Sequence, residues 1–326
     1  MGLRDYIIRR SILIIPTFLF ITVIVFALIH LAPGDPIDII FRGPHGGLGE
    51  AVREAMKVEL GLDQPIHIQY FSWLSKLLQG NLGYSYINSL PVADIIIMKI
   101  PFTLELMLAA ELISIVIAIV LGVIAAVKHH SITDAICSVG ALAGYSIPDF
   151  WLALMMMLVF SRWFMWLPSS GHQTVGVIFA TPFDALFDHL KYLILPAVGL
   201  VVVWTAYLFR MVRSAMLEVL MQDYIMTARS KGVTEWVVIY KHALRNALLP
   251  VITYVGYSVG FLLSGAAVIE EIFQWKGLGQ LMVDSTTVRD YPTLLGLSVV
   301  IAIMVLIANL CADIAYAAID PRIRYD

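Results

Sequence analysis

The sequence predicts an all-α polytopic membrane protein with six transmembrane helices and both termini on one side of the bilayer. Three observations lead there. The composition is 60% hydrophobic and only 14% charged, with a mean hydropathy of +0.86, whereas soluble domains carry about 25% charged residues. Six apolar runs approach the roughly 20 residues that a helical span requires. Lys and Arg gather in alternate connecting segments, as the positive-inside rule requires of a multi-pass protein.

The first run, Ser11–His30, is as long as a full span. It is followed by Leu31-Ala32-Pro33-Gly34-Asp35-Pro36, with no small-x-small cleavage pattern, so it reads as a retained helix and not as a signal peptide. A long insert, Ala32–Pro101, comes next. It holds a flexible glycine-rich stretch, Gly43-Pro44-His45-Gly46-Gly47-Leu48-Gly49, and an amphipathic pattern over Glu50–Leu60. The glycine stretch lacks the Lys-Ser/Thr ending of a phosphate-cradling loop. The remaining spans are expected near Leu104–Val127, Ile136–Phe160, Tyr192–Phe209, Ala247–Ile269 and Pro292–Ile319. Residues 1–101 thus form a first helix with an extracytoplasmic insert, and residues 102–326 a five-helix core.

With the N-terminus inside, the inner segments hold Arg4, Arg9, Arg10, Lys128, Arg210, Arg213, Arg229, Lys231, Lys241, Arg245, Arg322 and Arg324, against Arg162, Lys191, Lys276 and Arg289 in the short outer loops. That asymmetry favours cytoplasmic termini. In the third span Pro148 cannot donate to the carbonyl of Gly144, so a kink is expected there, with Asp149 at the break facing the interior.

The longest inner segment, residues 212–246, reads as two short helices meeting at a glycine. Tyr224–Lys231 forms the first and Gly232 the break. Thr234 is placed to cap a second helix carrying Trp236, Ile239, Tyr240 and Ala243. On charge alone the segment also suits a basic loop lying against anionic headgroups.

Catalytic chemistry has no foothold. His-Glu-x-x-His, Gly-x-Ser-x-Gly and Walker sequences are all missing from the chain, so no catalytic or metal-ligating set is expected. Cys137 and Cys311 lie far apart in apolar runs and suggest neither a disulfide framework nor a metal site. The net charge of −3 says little by itself, because in a membrane protein the distribution of Lys and Arg carries the information, and nucleic acid is not an expected partner. The informative polar residues lie inside spans: Glu105, Glu111, Asp149, Asn309 and Asp313. An ionised group at mid-bilayer costs about 2.5–3.5 kcal/mol on insertion scales, so each should face protein or a wet cavity. Glu111, Asp149, Asn309 and Asp313 are candidates for a translocation path, with interhelical hydrogen bonding as the competing role; Glu105 lies close enough to the surface to be interfacial.

Across its length the chain resembles the oligopeptide/dipeptide-type inner-membrane permeases of binding-protein-dependent ABC importers. The resemblance begins with Leu31-Ala32-Pro33-Gly34-Asp35-Pro36, Leu60-Gly61-Leu62-Asp63-Gln64-Pro65, Gln69-Tyr70 and Gly80-Asn81-Leu82-Gly83, where the family usually has Asp in place of Asn81. It continues through Ser146-Ile147-Pro148, Ala228-Arg229-Ser230-Lys231-Gly232, His242-Ala243-Leu244-Arg245-Asn246 and Leu249-Pro250. It ends with Glu270, Phe273, Gly277-Leu278-Gly279, Arg289-Asp290-Tyr291-Pro292, Asn309, Asp313, Tyr316 and Asp320-Pro321-Arg322-Ile323-Arg324.

Such permeases are similar to one another in a cytoplasmic Glu-Ala-Ala, Gly, Ile-x-Leu-Pro signature whose helix docks in the ATPase subunit. Placing its Gly on Gly232 sets the triplet on Met226, Thr227 and Ala228 and the closing elements on His242, Leu244 and Arg245; only Ala228, Gly232 and Leu244 fit. Lys276 stands where the peptide branch usually has Pro.

The resemblance implies a type I importer permease fold, with Ala228, Arg229, Lys231, Gly232, His242, Leu244 and Arg245 coupling to the ATPase, and Glu270, Phe273, Gly277 and Gly279 in an outer gate or scaffold. It implies a second homologous permease, two cytoplasmic ATPase subunits that bind MgATP, an extracytoplasmic solute-binding protein and a place in the inner or plasma membrane, with no cofactor in this chain. Di- or oligopeptides are the expected cargo, with oligosaccharides and nickel chelates also carried in the wider family. A secondary transporter or channel acting alone, coupled through Asp149 or Asp313, is the alternative from the residues themselves, and a membrane anchor or scaffold a third.

Overall fold

Long apolar runs wind into helices that extend past the bilayer, and the helix ends are set by prolines, glycines and capping side chains. The computed structural model describes residues 3–31, 54, 55, 57, 58, 61–262 and 266–319. Its elements are α1 (Leu3–Leu31), α2 (Ile66–Leu78), α3 (Val92–Val127), α4 (Ile132–Ser146), α5 (Asp149–Met156, running into a π-helical turn Met157–Trp163), α6 (Pro182–Leu220) and α7 (Asp223–Ser230). They continue with α8 (Glu235–Val237, running into a π-helical turn Val238–Ala243), α9 (Leu244–Ala247), α10 (Leu249–Phe261), α11 (Ala267–Ile272), α12 (Leu278–Thr287) and α13 (Tyr291–Ile319). Among the described residues the sole β-type pairing is an isolated bridge between Tyr84 and Pro91. The Gly43–Gly49 stretch, most of Glu50–Leu60, the Asp313 side chain and Asp320–Arg324 lie outside what is described.

Four helices carry complete candidate spans: Arg9–Leu31, Val92–Val127, Pro182–Leu220 and Tyr291–Cys311. A fifth is divided. α4 and α5 meet at a bend of 99°, because Ile147 is held extended (ψ 126°) ahead of Pro148 as the proline ring requires. The expected kink is therefore a sharp corner. The run expected at Ala247–Ile269 is carried by α9, α10 and α11; α10 has only 13 residues, short of a bilayer's thickness.

Two helices depart most from the sequence expectation. α3 starts twelve residues before Leu104 and accommodates Pro101 in its interior, and α6 extends the expected Tyr192–Phe209 at both ends to 39 residues, about 58 Å. A hydropathy window sees only the part in the apolar layer. The polar ends of α6 are helical for other reasons: Thr181 and Asp184 form a reciprocal capping box, which satisfies otherwise orphaned N–H groups, and its Val212–Leu220 end is the first part of the stretch expected to form the inner knob.

The described residues group into two units, one of residues up to Pro101 and from Gly277, the other of Phe102–Lys276. In the first, α1 packs on α13 and α12 on α13, while Tyr70 of α2 meets the Phe26 ring of α1 edge-on and Trp73 meets it at a tilt. Buried Asp290 fastens the loop before α3: it accepts from the Ser85 hydroxyl, the Tyr86 amide at 3.0 Å and the Thr293 hydroxyl at 2.7 Å. Asn81 accepts from the Gly83 amide at 2.9 Å. A carboxylate would accept there equally well, which explains why Asn81 serves where Asp is expected.

In the second unit two cores form. One gathers Val123, Val212, Met216, Ile225, Val238 and Ala243; the other gathers Leu106, Leu195, Leu200, Ile269, Phe273 and Trp275. α6 contributes to both. Its close approach to α3 depends on Gly122, where an added Cβ would stand 2.7 Å from Val212 Cγ1; small residues of this kind let membrane helices pack without a gap.

Candidate functional site

The two short helices expected around Gly232 are present. α7 ends at Ser230, and Gly232 adopts φ +77°. Its N–H donates to the Arg229 carbonyl at 3.0 Å, and the Val233 N–H donates to the Ala228 carbonyl at 3.3 Å. These paired bonds across a left-handed glycine form a Schellman ending, which turns the chain sharply and satisfies the last carbonyls of α7. The expectation of a glycine break is met by this geometry. Thr234 begins the next helix through its carbonyl, which accepts from Val237 at 2.9 Å; its hydroxyl makes no capping bond.

Ile225, Val238 and Ala243 are fully buried and tie the knob to the end of α6. Trp236, Ile239, Tyr240 and Ala243, expected on the second helix, point to different sides. The π turn sends Ile239 and Ala243 inward, whereas Trp236 and Tyr240 stay exposed with ring centroids 5.0 Å apart. With Met221, Tyr224 and Met226 they leave five large apolar side chains on the knob's free surface. Their exposure was not readable from the sequence, because it depends on which side of α7 and the π turn rests on α6.

Of the residues expected to couple, Arg229, Lys231, Gly232 and Arg245 are exposed, and Ala228, His242 and Leu244 are half-buried. Arg229 is committed within the knob: its guanidinium grips Glu235 through Nη2–Oε1 at 2.6 Å and Nε–Oε2 at 3.2 Å, bridging the two helices across the turn. That hydrogen bond holds the Glu235 carboxyl below its usual range. His242 uses its carbonyl to accept from Asn246, whose amide also donates to the Tyr224 hydroxyl at 2.8 Å.

The polar residues within spans separate into different environments. Glu111 is buried and accepts from the Ser258 hydroxyl at 2.8 Å. Glu105, expected to be interfacial, is held by His189 Nε2 at 2.8 Å from each carboxylate oxygen, while His189 Nδ1 sits 2.7 Å from the His172 carbonyl. Asn309 is half-buried, with an amide oxygen that has no hydrogen-bond partner. Asp149 does not face the chain's interior. It is exposed at the first position of α5 and accepts from the Phe150 amide at 2.8 Å; the 99° corner carries it outward where a modest kink would have kept it under its own helix.

Glu270 and Phe273 are fully enclosed. The Thr103 hydroxyl donates to Glu270 at 3.0 Å, and the neighbouring Trp275 indole donates to the Phe102 carbonyl at 2.8 Å. Gly277 and Gly279 are buried at the start of α12, and Lys276 is exposed in the turn before it. Among the described residues no three His, Cys, Asp or Glu groups come together in a way that could hold a metal ion.

Residues 118–325 match the family model described as the binding-protein-dependent transport system inner membrane component, and residues 3–107 match that of its N-terminal region. The chain is 42% identical over 320 residues to a putative peptide permease protein of Brucella ovis, with 98% of each chain covered. It is 41% identical over 321 residues to the oligopeptide transport system permease protein AppB of Bacillus subtilis, covering 98% of this chain and 99% of that one. It is 39% identical over 338 residues to the dipeptide transport system permease protein DppB of Escherichia coli K12, with the same coverage. These matches span the whole chain, and the chain belongs to the family of inner-membrane components of binding-protein-dependent transport systems.

Proposed function

We propose that the chain is one of two permease subunits of an ATP-driven importer of di- or oligopeptides. Relatives named for dipeptide and oligopeptide transport, matched over the whole chain, support the cargo class. The observation that carries the coupling role is the knob: a rigid turn with five exposed apolar side chains, fixed to the end of a 39-residue helix.

In this reading a second, related permease completes the six-span bundle's pathway, and both termini are cytoplasmic. A solute-binding protein delivers peptide from outside. Two cytoplasmic ATPase subunits bind MgATP and close on each other, and each closure moves a knob. Ala228, Gly232 and Leu244 shape that docking surface, with Lys231, His242 and Arg245 at its edge. α6 turns the displacement into a tilt, because its inner end packs on Ile225, Val238 and Ala243 while its Leu193–Val201 stretch packs on Ile269 and Phe273 near Glu270. Tilting packed helices between two arrangements is an established way to switch a cavity's opening. Glu111, Asn309, Asp313 and the outward-facing Asp149 are placed along the path, Asp149 on a surface that a second permease would cover. Glu270 and Phe273, with Gly277 and Gly279, act as the outer gate or its scaffold.

The test is uptake by proteoliposomes holding this chain, its companion permease, the ATPase pair and the binding protein. Accumulation of labelled di- or oligopeptides that requires both ATP and the binding protein is expected. ATP-dependent uptake of oligosaccharide or nickel chelate instead would change the cargo and keep the mechanism. Uptake by this chain alone, driven by an ion gradient, would overturn both.

A further inference from the structure

The segment between α1 and α3 reads in the sequence as an extracytoplasmic insert, yet α2 is attached to α1 well below the end of that span. The Tyr70 hydroxyl is 3.0 Å from the Thr22 hydroxyl, and Tyr70 and Trp73 both contact the Phe26 ring. The apolar run Ser11–His30 of α1 has its middle near residue 20. At about 1.5 Å per residue, Thr22 lies roughly 3 Å and Phe26 roughly 9 Å from the middle of the span, both inside the half-thickness of about 15 Å of a hydrocarbon core.

α2 also has three distinct faces at helical spacing. Tyr70, Trp73 and Leu77 are the half-buried side that meets α1. Gln69, Ser72 and Lys76 line a cavity of about 800 Å³, together with His30 and Asn81. The third side carries Phe71 and Leu78, 65% and 73% exposed, with Leu74 half-buried between them. Apolar groups so exposed would be unfavourable in water, and at the depth set by Thr22 and Phe26 the surrounding medium is acyl chains.

We propose that α2 is embedded in the leaflet where α1 ends, its Phe71, Leu74 and Leu78 face against lipid chains and its Ser72 and Lys76 face toward a water-filled cavity. The helix then separates lipid from an aqueous pocket that opens beside α1 and the start of α13. Lys76 reaches water through that pocket, as a cation at a membrane edge must. α1 has an exposed apolar side of its own, which includes Val23, Ile24 and Leu28.

Spin labels on the assembled complex in lipid nanodiscs test this. Cys137→Ser and Cys311→Ser provide a background, and Phe71→Cys, Leu78→Cys and Ser72→Cys each receive one label. Labels at 71 and 78 should collide with dissolved oxygen several-fold more than with a water-soluble nickel chelate, and the label at 72 should show the reverse ratio. Free access of the chelate to 71 and 78 would place α2 in water, and exclusion of both quenchers from those positions would mean that a protein surface covers them; either result overturns the proposal. The unaltered complex gives a second reading that no substitution can spoil. A phospholipid with a photoactivatable group on its acyl chain should mark residues 71–78, and marking of α1 without marking of α2 would refute lipid contact.

Discussion

Gly232 offers the sharpest perturbation, because its backbone and its surroundings make separate demands. At φ +77° an L side chain is strained, yet a Cβ built there would meet nothing within 4 Å. Gly232→Ala therefore costs only the left-handed backbone penalty, about 1–2 kcal/mol, and Gly232→Asn less, since Asn visits that region readily. Gly232→Pro forces φ to about −65°, roughly 140° away from the observed value, and removes the N–H that donates to Arg229. The combined cost is about 3 kcal/mol or more, enough to open the Schellman turn. Buried Ile225, Val238 and Ala243 hold the knob on α6 against the smaller penalties. Uptake by the reconstituted complex should fall in the order Gly, Asn, Ala, Pro, with at most a few-fold loss for Ala and at least ten-fold for Pro. Membrane insertion should be unchanged in all. Equal loss for Ala and Pro would show that the missing side chain and not the backbone angle matters, and wild-type uptake by the Pro variant would refute the coupling role.

Three further outcomes are expected. Gly122→Ala should destabilise the purified chain by about 1–3 kcal/mol in thermal unfolding, because its Cβ would crowd Val212, and Val212→Ala should recover much of the loss; no recovery would mean the packing is misread. The Arg229–Glu235 pair, both partners exposed, should contribute under about 1 kcal/mol. The folded Glu235 carboxyl lies below its unfolded value, so this contribution is present above the unfolded pKa and is lost as pH falls through the folded one. Hydrogen-exchange protection at Gly232 and Val233 should thus differ between the native chain and Glu235→Gln at neutral pH and converge in acid; a difference that persists in acid would contradict the pairing. Asp149→Asn should alter peptide uptake while leaving the stability and basal ATPase of the complex intact; indifference of uptake, or loss of assembly, would remove Asp149 from the path.

What the sequence showed depended on how local the cause was. The break at Gly232 and the corner at Pro148 were legible because a left-handed glycine and a ring without an N–H act on their own few residues. The size of the corner was not, since 99° is a matter of where α5 packs on α6. Helix ends beyond the bilayer were missed for a different reason: hydropathy stops reporting at the headgroups, whereas α3 and α6 continue under capping and packing. Long-range partners left no signal at all. His189 meets Glu105 across 84 residues, Ser258 meets Glu111 across 147, and Asp290 gathers Ser85 and Tyr86 from the far side of the sequence. π turns were equally hidden, being a change in hydrogen-bond register without a marker residue, and at Val238–Ala243 that change decides which aromatics face outward.

The coupling claim meets its most direct test in a photocrosslinking amino acid placed at Trp236, 69% exposed on the free side of the knob, in the assembled complex within its membrane. Crosslinks to the ATPase subunit, with a yield that changes between nucleotide-free and ATP-bound states, are the expected result. Crosslinks to lipid alone, unchanged by nucleotide, would identify the segment as a basic loop resting on headgroups and contradict its role as the joint between ATP and transport.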